Sequence, residues 1–295
     1  MSTPPLHLCG WIDDPNRHAL AATLPNPTFS QAAPHLLGAV QDVFLYKAWK
    51  QVLGQYPDYP AQQIGDCTSF GSGHAVDLLQ CVEIALGNQP LAYKETCTEA
   101  IYGMGREISG TLGNFDGCYG VAVAKALTDW GAVPRELVGT YSGQRAKQWG
   151  RTGVPADIKT TAASYKLGAA TLVTTLDELD AALANLYPCA GGFSQGFTMH
   201  RDADGVCRQS GRWGHEQACV GRRTKNNRRQ YLLVQSWGDG VPDGPQTDDQ
   251  PSWSFWIDED SMASILSQQD FLAFSKFPGF ERRPVPPQWS YEEFI

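Results

Sequence analysis

The stretch QQIGDCTSFGSGHAVD, Gln62 to Asp77, decides how the chain is read. Asp66 has the side chain of a good helix N-cap. Phe70, Ala75, Leu78, Leu79, Val82 and Ile84 give the following residues most of their apolar surface, and Gly87-Asn88 ends the run. The pattern predicts one long helix over Asp66–Leu86. Cys67 then falls in its first turn, where the positive end of the helix dipole favours a thiolate. The Cys67 amide points outward there and can meet a developing oxyanion.

Downstream of this helix the pattern stays helical and then changes. Helices are predicted at Glu95–Glu107, at Gly120–Trp130 and at Thr175–Leu186, the last opened by a Thr175/Glu178 capping box. After about residue 187, short apolar or alternating runs take over: Ala190–Thr198, Gln217–Gly221, Tyr231–Ser236 and Ser252–Ile257. Turns rich in Gly, Asn and Asp separate them, which predicts antiparallel strands. Helices first and strands later define an α+β domain. We place it at 61–276, with 61–186 mainly helical and 187–276 mainly β.

Outside this region lie two arms. Residues 1–60 carry eight prolines around one helix-like piece, HLLGAVQDVFLYKAWKQVL, in which Leu36, Val40, Val43, Phe44 and Trp49 recur at near-helical spacing. Its flanks read as extended chain. Residues 277–295 form a tail rich in Pro and aromatics, in which Phe280, Trp289, Tyr291 and Phe294 are apolar anchors. Two such arms are a large load for one globule, so at least one is expected to dock on another subunit, in a homo-oligomer or larger assembly.

A thiol nucleophile needs a base, and imidazole is the usual one. His215 stands in GRWGHEQACVG, just before a predicted strand, and Gln235 in LLVQSWGDG ends the next one. The two strands flank a hairpin at Lys225-Asn226-Asn227, so Gln235 can lie beside His215 and hold its ring, with Trp237 shielding the contact. His74, two turns beyond Cys67, reads as a packed helix residue rather than a catalyst. The basic run Arg222–Arg229 reads as a solvated hairpin loop.

These segments carry a family resemblance. QQIGDCTSFGSGHAVD resembles the cysteine-helix motif of papain-like cysteine peptidases, GHEQACVG their histidine strand, and VQSWG their Asn-Ser-Trp-Gly segment. DGCYGVAVAKALTDWGAVPREL is similar to their Gly-Cys turn and second helix, and His215 follows Cys67 by 148 residues, near the roughly 130–150 of that family. The likeness covers about residues 61–265. It implies a papain-like fold and a thiol peptidase or amide hydrolase acting on a protein or peptide through a thioester acyl-enzyme. Cys67 would be its nucleophile, His215 its base and Gln235 its orienting residue. Gln63, or its neighbour Gln62, would be the oxyanion donor. No metal or organic cofactor is implied.

Departures from the family are also on the page. Thr68 follows the nucleophile where an aromatic is usual. Ile64 replaces a disulfide cysteine, Gln235 replaces Asn, and Ala61 stands where the oxyanion glutamine normally sits. The short GDCTSFG variant is similar to papain-like proteins encoded by bacteriophages. With no inhibitory pro-segment expected, the alternative is a papain-fold structural or assembly protein, such as one of a virus particle, with a weak or idle site.

Composition narrows the other classes. A hydrophobic share of 42% with nine Trp residues supplies a core. A net charge of −8 argues against a nucleic-acid binder, and no run approaches the roughly 20 apolar residues of a membrane span. The N-terminus lacks the pattern of a secretory signal. The eight cysteines lack CxxC spacing and are expected as reduced thiols, which suits a cytoplasmic or virion location.

Overall fold

The computed structural model describes residues 4–88 and 92–291. Its helices are α1 (Asn16–Ala21), α2 (Phe29–Ala32), α3 (Lys47–Leu53), α4 (Cys67–Ala85), α5 (Thr98–Ser109), α6 (Gly120–Asp129), α7 (Gly143–Thr152), α8 (Ala156–Ala162), α9 (Leu176–Ala184) and α10 (Glu259–Leu266). Its strands are β1 (Ala169–Leu172), β2 (Cys189–Phe197), β3 (Gln209–Lys225), β4 (Arg228–Val234), β5 (Ser254–Asp258) and β6 (Phe271–Ser275). They form one sheet in the order β1-β6-β2-β3-β4-β5, and each pairing is antiparallel. The α+β expectation therefore holds, with helices ahead of most of the sheet.

α4 packs against β3 and is buried along nearly all its length. Its apolar positions meet both halves of the molecule, so it is a central helix rather than a surface one. Gly71 permits the approach: a Cβ there would stand 2.7 Å from Glu216 Cγ and 3.1 Å from the Gln217 amide nitrogen. This contact sets the first turn of α4 beside the middle of β3.

Several local expectations shift. β3 runs from Gln209, so His215 lies within the strand rather than before it. α5 begins at Thr98 because Thr96 is held in a bridge to Pro134. The 35–53 piece is not one helix. Gly38 turns the chain with φ of 84°, and Val43 pairs in both directions with Arg222, leaving α3 and a short 3-10 turn at Pro34–Leu36 helical. The Asn226-Asn227 hairpin forms with positive φ at both residues. Its flanking arginines are not simply solvated, however. Arg223 is fully buried over the Trp256 ring and paired with Asp248, and Arg222 pairs with Asp42 and Asp180.

Both arms lie on the chain itself. Phe280 packs edge-on against Phe29 and Tyr187. Trp289 is completely buried, its Nε1 donating to Gln51 Oε1 at 2.9 Å and its carbonyl accepting from the Phe44 amide. Tyr291 stacks edge-on over Phe44 and donates to Asp248. No second subunit is needed to seat these three anchors. Phe294 lies outside the described residues.

Candidate active site

Cys67 is the first helical residue of α4 and is fully buried. The strand that carries His215 passes directly beside it, and the Glu216 amide reaches the sulfur. His215 is also fully buried. Its Nε2 lies 2.7 Å from Gln235 Oε1, which also accepts from the Ser236 amide. A carbonyl oxygen only accepts, so Nε2 is the protonated nitrogen. Nδ1 has no partner. Trp237 lies over the imidazole with ring centroids 4.5 Å apart, as the sequence had suggested. The ring is thus gripped on one edge and one face, with its other nitrogen free.

The sequence placed Asp66 as a side-chain cap, and the structure differs. Its carboxyl makes no cap bond; Oδ2 accepts from Tyr141, and the Ser69 amide and hydroxyl bond to the Asp66 carbonyl instead. The two glutamines also separate. Gln63 turns outward, where its Oε1 accepts from the Gly143 amide. Gln62 turns inward and is buried. Its Oε1 accepts from Ser236, and its Nε2 donates to the carbonyls of Ile64 and Leu8. Of the two, Gln62 is the one on the buried side, because alternate residues of this extended segment face opposite sides.

The Leu8 contact reveals what the sequence reading missed. Residues 8–12 of the first arm lie across the site. The Gly10 amide donates to Cys67 Sγ at 3.3 Å, and the Leu8 carbonyl sits on Gln62 Nε2 at 2.7 Å. The Trp11 amide donates to Gly214 O, Gly10 O accepts from the Cys118 amide, and the Ile12 amide donates to Cys118 O. These bonds make a parallel bridge between Trp11 and Cys118. The Trp11 indole is buried, with Nε1 donating to Asp270 Oδ2 at 2.6 Å. Gly10 must be glycine here, since a Cβ would stand 1.8 Å from the Gly65 carbonyl oxygen. Residues 8–12, read from the sequence as part of an extended arm, thus lie against Cys67 and Gln62. The cue was present as Leu8, Trp11 and Ile12 in an otherwise Pro-bounded extended stretch.

Burial governs the titration of the site. Burial pushes the Cys67 thiol far above its ordinary value, although amides from Gly10 and Glu216 favour the thiolate. Burial also lowers the His215 imidazole to about 4, despite the Gln235 bond. Both groups are therefore neutral near pH 7 in this arrangement. The helix-terminus argument for a standing thiolate is outweighed by desolvation. His74, stacked on Tyr59 with centroids 4.3 Å apart, is driven down to about 3, also by burial. All eight cysteines are free, and among the described residues no group of three or more His, Cys, Asp or Glu is placed to hold a metal.

Solved structures share this arrangement of helices and sheet. The chain is similar to xylellain, a cysteine protease from Xylella fastidiosa, with a TM-score of 0.59 at 18% identity, covering 94% of this chain and 98% of that one. The fold is papain-like. The proform of the Amb a 11 cysteine protease, a major ragweed pollen allergen, gives a TM-score of 0.59 at 15% identity over 92% of this chain and 75% of that one. Digestive procathepsin L 3 of the Tenebrio molitor larval midgut gives 0.52 at 13% over 88% and 79%. No protein-family model matches the chain, and no curated protein sequence matches it either. The papain-like fold accounts for the position of Cys67 at the head of a central helix and of His215 on a central strand.

Proposed function

We propose that the protein is a papain-like thiol peptidase acting through Cys67, His215, Gln235 and Gln62, and that residues 8–12 hold it closed. One observation carries this reading: a peptide backbone already lies across the site, its Gly10 amide on the Cys67 sulfur and its Leu8 carbonyl on the Gln62 amide. The site is thus shaped for an extended polypeptide. Two of the similar solved structures are themselves a proform and a procathepsin.

In this reading, withdrawal of the arm admits water and lets the Cys67 thiol pass its proton to His215 Nδ1. The thiolate attacks a substrate carbonyl. The oxyanion is bound by the Cys67 amide and by the Gln62 N–H that Leu8 releases. His215 returns the proton to the leaving amine, and water then hydrolyses the thioester. Gln235 keeps Nε2 protonated, so that Nδ1 faces the reaction. The arm itself offers the sulfur an N–H rather than a carbonyl carbon.

The test is hydrolysis of fluorogenic peptides and of unfolded casein by the full chain, by Gly10→Ala and by Cys67→Ala. Turnover raised in Gly10→Ala and absent in Cys67→Ala is expected. Turnover that survives Cys67→Ala sinks the reading.

A further inference from the structure

The arm does more than cover the sulfur, because its Trp11 side chain fills a pocket. The indole lies against the backbone of Gly192, where a Cβ would stand 1.8 Å from Trp11 Cδ1. Gly214 lies on another side, where a Cβ would meet the Trp11 carbonyl oxygen at 2.4 Å. Side chains at these positions would close the pocket. Two carboxyls stand at its end: Asp270, which the indole reaches, and Glu216 beside Asp270.

Asp270 is wholly buried. Its Oδ2 accepts from Trp11 Nε1 and the Gly120 amide, and its Oδ1 from the Val121 amide. Glu216 is 1% exposed; its Oε1 accepts from Ser72, and its Oε2 has no partner. The two converge on Gly120, where a Cβ would stand 2.9 Å from Glu216 Oε2 and 3.2 Å from Asp270 Oδ2. The nearby cation is Arg17, 5.5 Å above the Trp11 ring, and it is already engaged with Asp13, the Asp14 carbonyl and the Gln268 carbonyl. A buried carboxyl oxygen without a donor is costly. The indole has one N–H and can satisfy only one of the two groups.

Resting on the peptidase reading above, we propose that the pocket filled by Trp11 selects the substrate, and that it takes an arginine side chain whose guanidinium is shared between Asp270 and Glu216. A guanidinium has five N–H donors in a flat fork and matches paired carboxyls. An apolar side chain would leave Glu216 Oε2 without a donor and Asp270 with only its Gly120 and Val121 amides once Trp11 withdraws. Trp11 is then a partial mimic of the substrate: it fills the volume and satisfies Asp270, but leaves Glu216 Oε2 open. A substrate arginine therefore gains a contact that the arm lacks.

Two measurements test the pocket and the peptidase reading apart. The first needs no activity. Full-length Trp11→Ala is titrated with propylguanidinium chloride and, separately, with neutral propylurea, by calorimetry and thermal shift. Saturable binding of the guanidinium, at least about tenfold tighter than the urea and lost in Trp11→Ala/Asp270→Asn, is expected. Equal binding, or binding of the urea alone, overturns the proposal. Should Trp11→Ala not fold, Trp11→Arg and Trp11→Leu are compared in the full chain. Arg is expected to retain the higher Tm, and a higher Tm for Leu overturns the proposal. The second measurement is hydrolysis by Gly10→Ala of a fluorogenic peptide library varied one position at a time. A preference of about tenfold for arginine over leucine at one position is expected. Turnover with no such preference, or with lysine equal to arginine, overturns the pocket assignment and leaves the peptidase reading. Guanidinium binding without any turnover overturns the peptidase reading and leaves the pocket.

Discussion

The backbone N–H of Gly10 donates to Cys67 Sγ across 3.3 Å, joining the first arm to the head of the central helix, 57 positions away. An amide hydrogen bonded to the sulfur helps a thiolate, but the chain that brings it also excludes water. Desolvation is the larger effect, so the thiol is pushed up and the imidazole down. With the arm seated, thiol and imidazole are therefore both neutral near pH 7.

Gly10→Ala tests this directly. The new methyl would stand 1.8 Å from the Gly65 carbonyl oxygen, a separation no relaxation of a methyl can absorb. The arm must lift, carrying Leu8 off Gln62 and the amide off the sulfur. We expect alkylation of Cys67 by iodoacetamide, followed by mass spectrometry, to accelerate by about tenfold or more, with a stability loss of about 1–3 kcal/mol. Unchanged alkylation of Cys67 would show that the arm does not control access.

Gln235→Ala removes the acceptor at His215 Nε2 and frees the ring. The nucleophile and base remain, so peptidase turnover should fall by about 10- to 100-fold, whereas Cys67→Ala abolishes it. Leaving Nε2 buried without a partner should also cost about 1–3 kcal/mol in urea unfolding. Gln235→Asn shortens the side chain by one methylene and should fall between the two, since the 2.7 Å contact is set for the longer side chain. Turnover of Gln235→Ala equal to that of the parent would reduce Gln235 to packing.

The central helix was legible because its signals are local: the apolar spacing and a glycine stop all lie within about 25 residues. The order of Cys67, His215 and Gln235 was legible for a similar reason, since strand alternation and one hairpin bring the last two together. The arm was not. Residues 8–12 take their course from Gly65, Cys118 and Gly214, contacts that no periodicity within the arm encodes. Which of Gln62 and Gln63 faces inward turned on one residue of register in an extended segment, where a single step reverses the facing side. The 35–53 segment shows the opposite failure: helical spacing was present, but the Val43–Arg222 pairing won.

His74→Phe probes burial through pH. Both ring nitrogens are buried without a partner, and the ring stacks on Tyr59. Its pKa is lowered to about 3 in the fold, against an ordinary value of 6.5. A group depressed in this sense binds its proton in the unfolded chain first, so it costs stability as pH falls below about 6.5. At pH 5 that cost is about 2 kcal/mol, and at pH 7 it is small. Phe keeps the stack and cannot titrate. The variant should match or exceed the parent in urea unfolding at pH 7 and exceed it by a further ~2 kcal/mol at pH 5. Asp270, raised to about 6 by burial, acts in the opposite sense: its contribution is present below about pH 4 and is lost as pH rises through 6. The comparison must therefore be made between variant and parent at each pH. Parallel pH curves would show that His74 is not held neutral by the fold.

Removing residues 277–295 tests what the tail contributes. Trp289 is completely buried, and its indole N–H and carbonyl are both bonded within the chain. Phe280 fills the edge between Phe29 and Tyr187. Truncation after Lys276 empties both seats and exposes Phe29, Phe44 and Tyr187 in one step. Deleting a single buried Trp side chain costs about 3–5 kcal/mol, a large share of a typical domain's stability. Tm should therefore fall by many degrees, and the newly exposed aromatics should make the truncated chain associate, whereas the full chain, with its arms seated, runs as a smaller particle by sedimentation. Trp289→Ala should reproduce much of the Tm loss without removing the backbone. A truncated chain with unchanged Tm would mean that the tail rests on the surface without supporting it. A full chain that sediments as an oligomer and dissociates on truncation would instead restore a role for the tail between subunits.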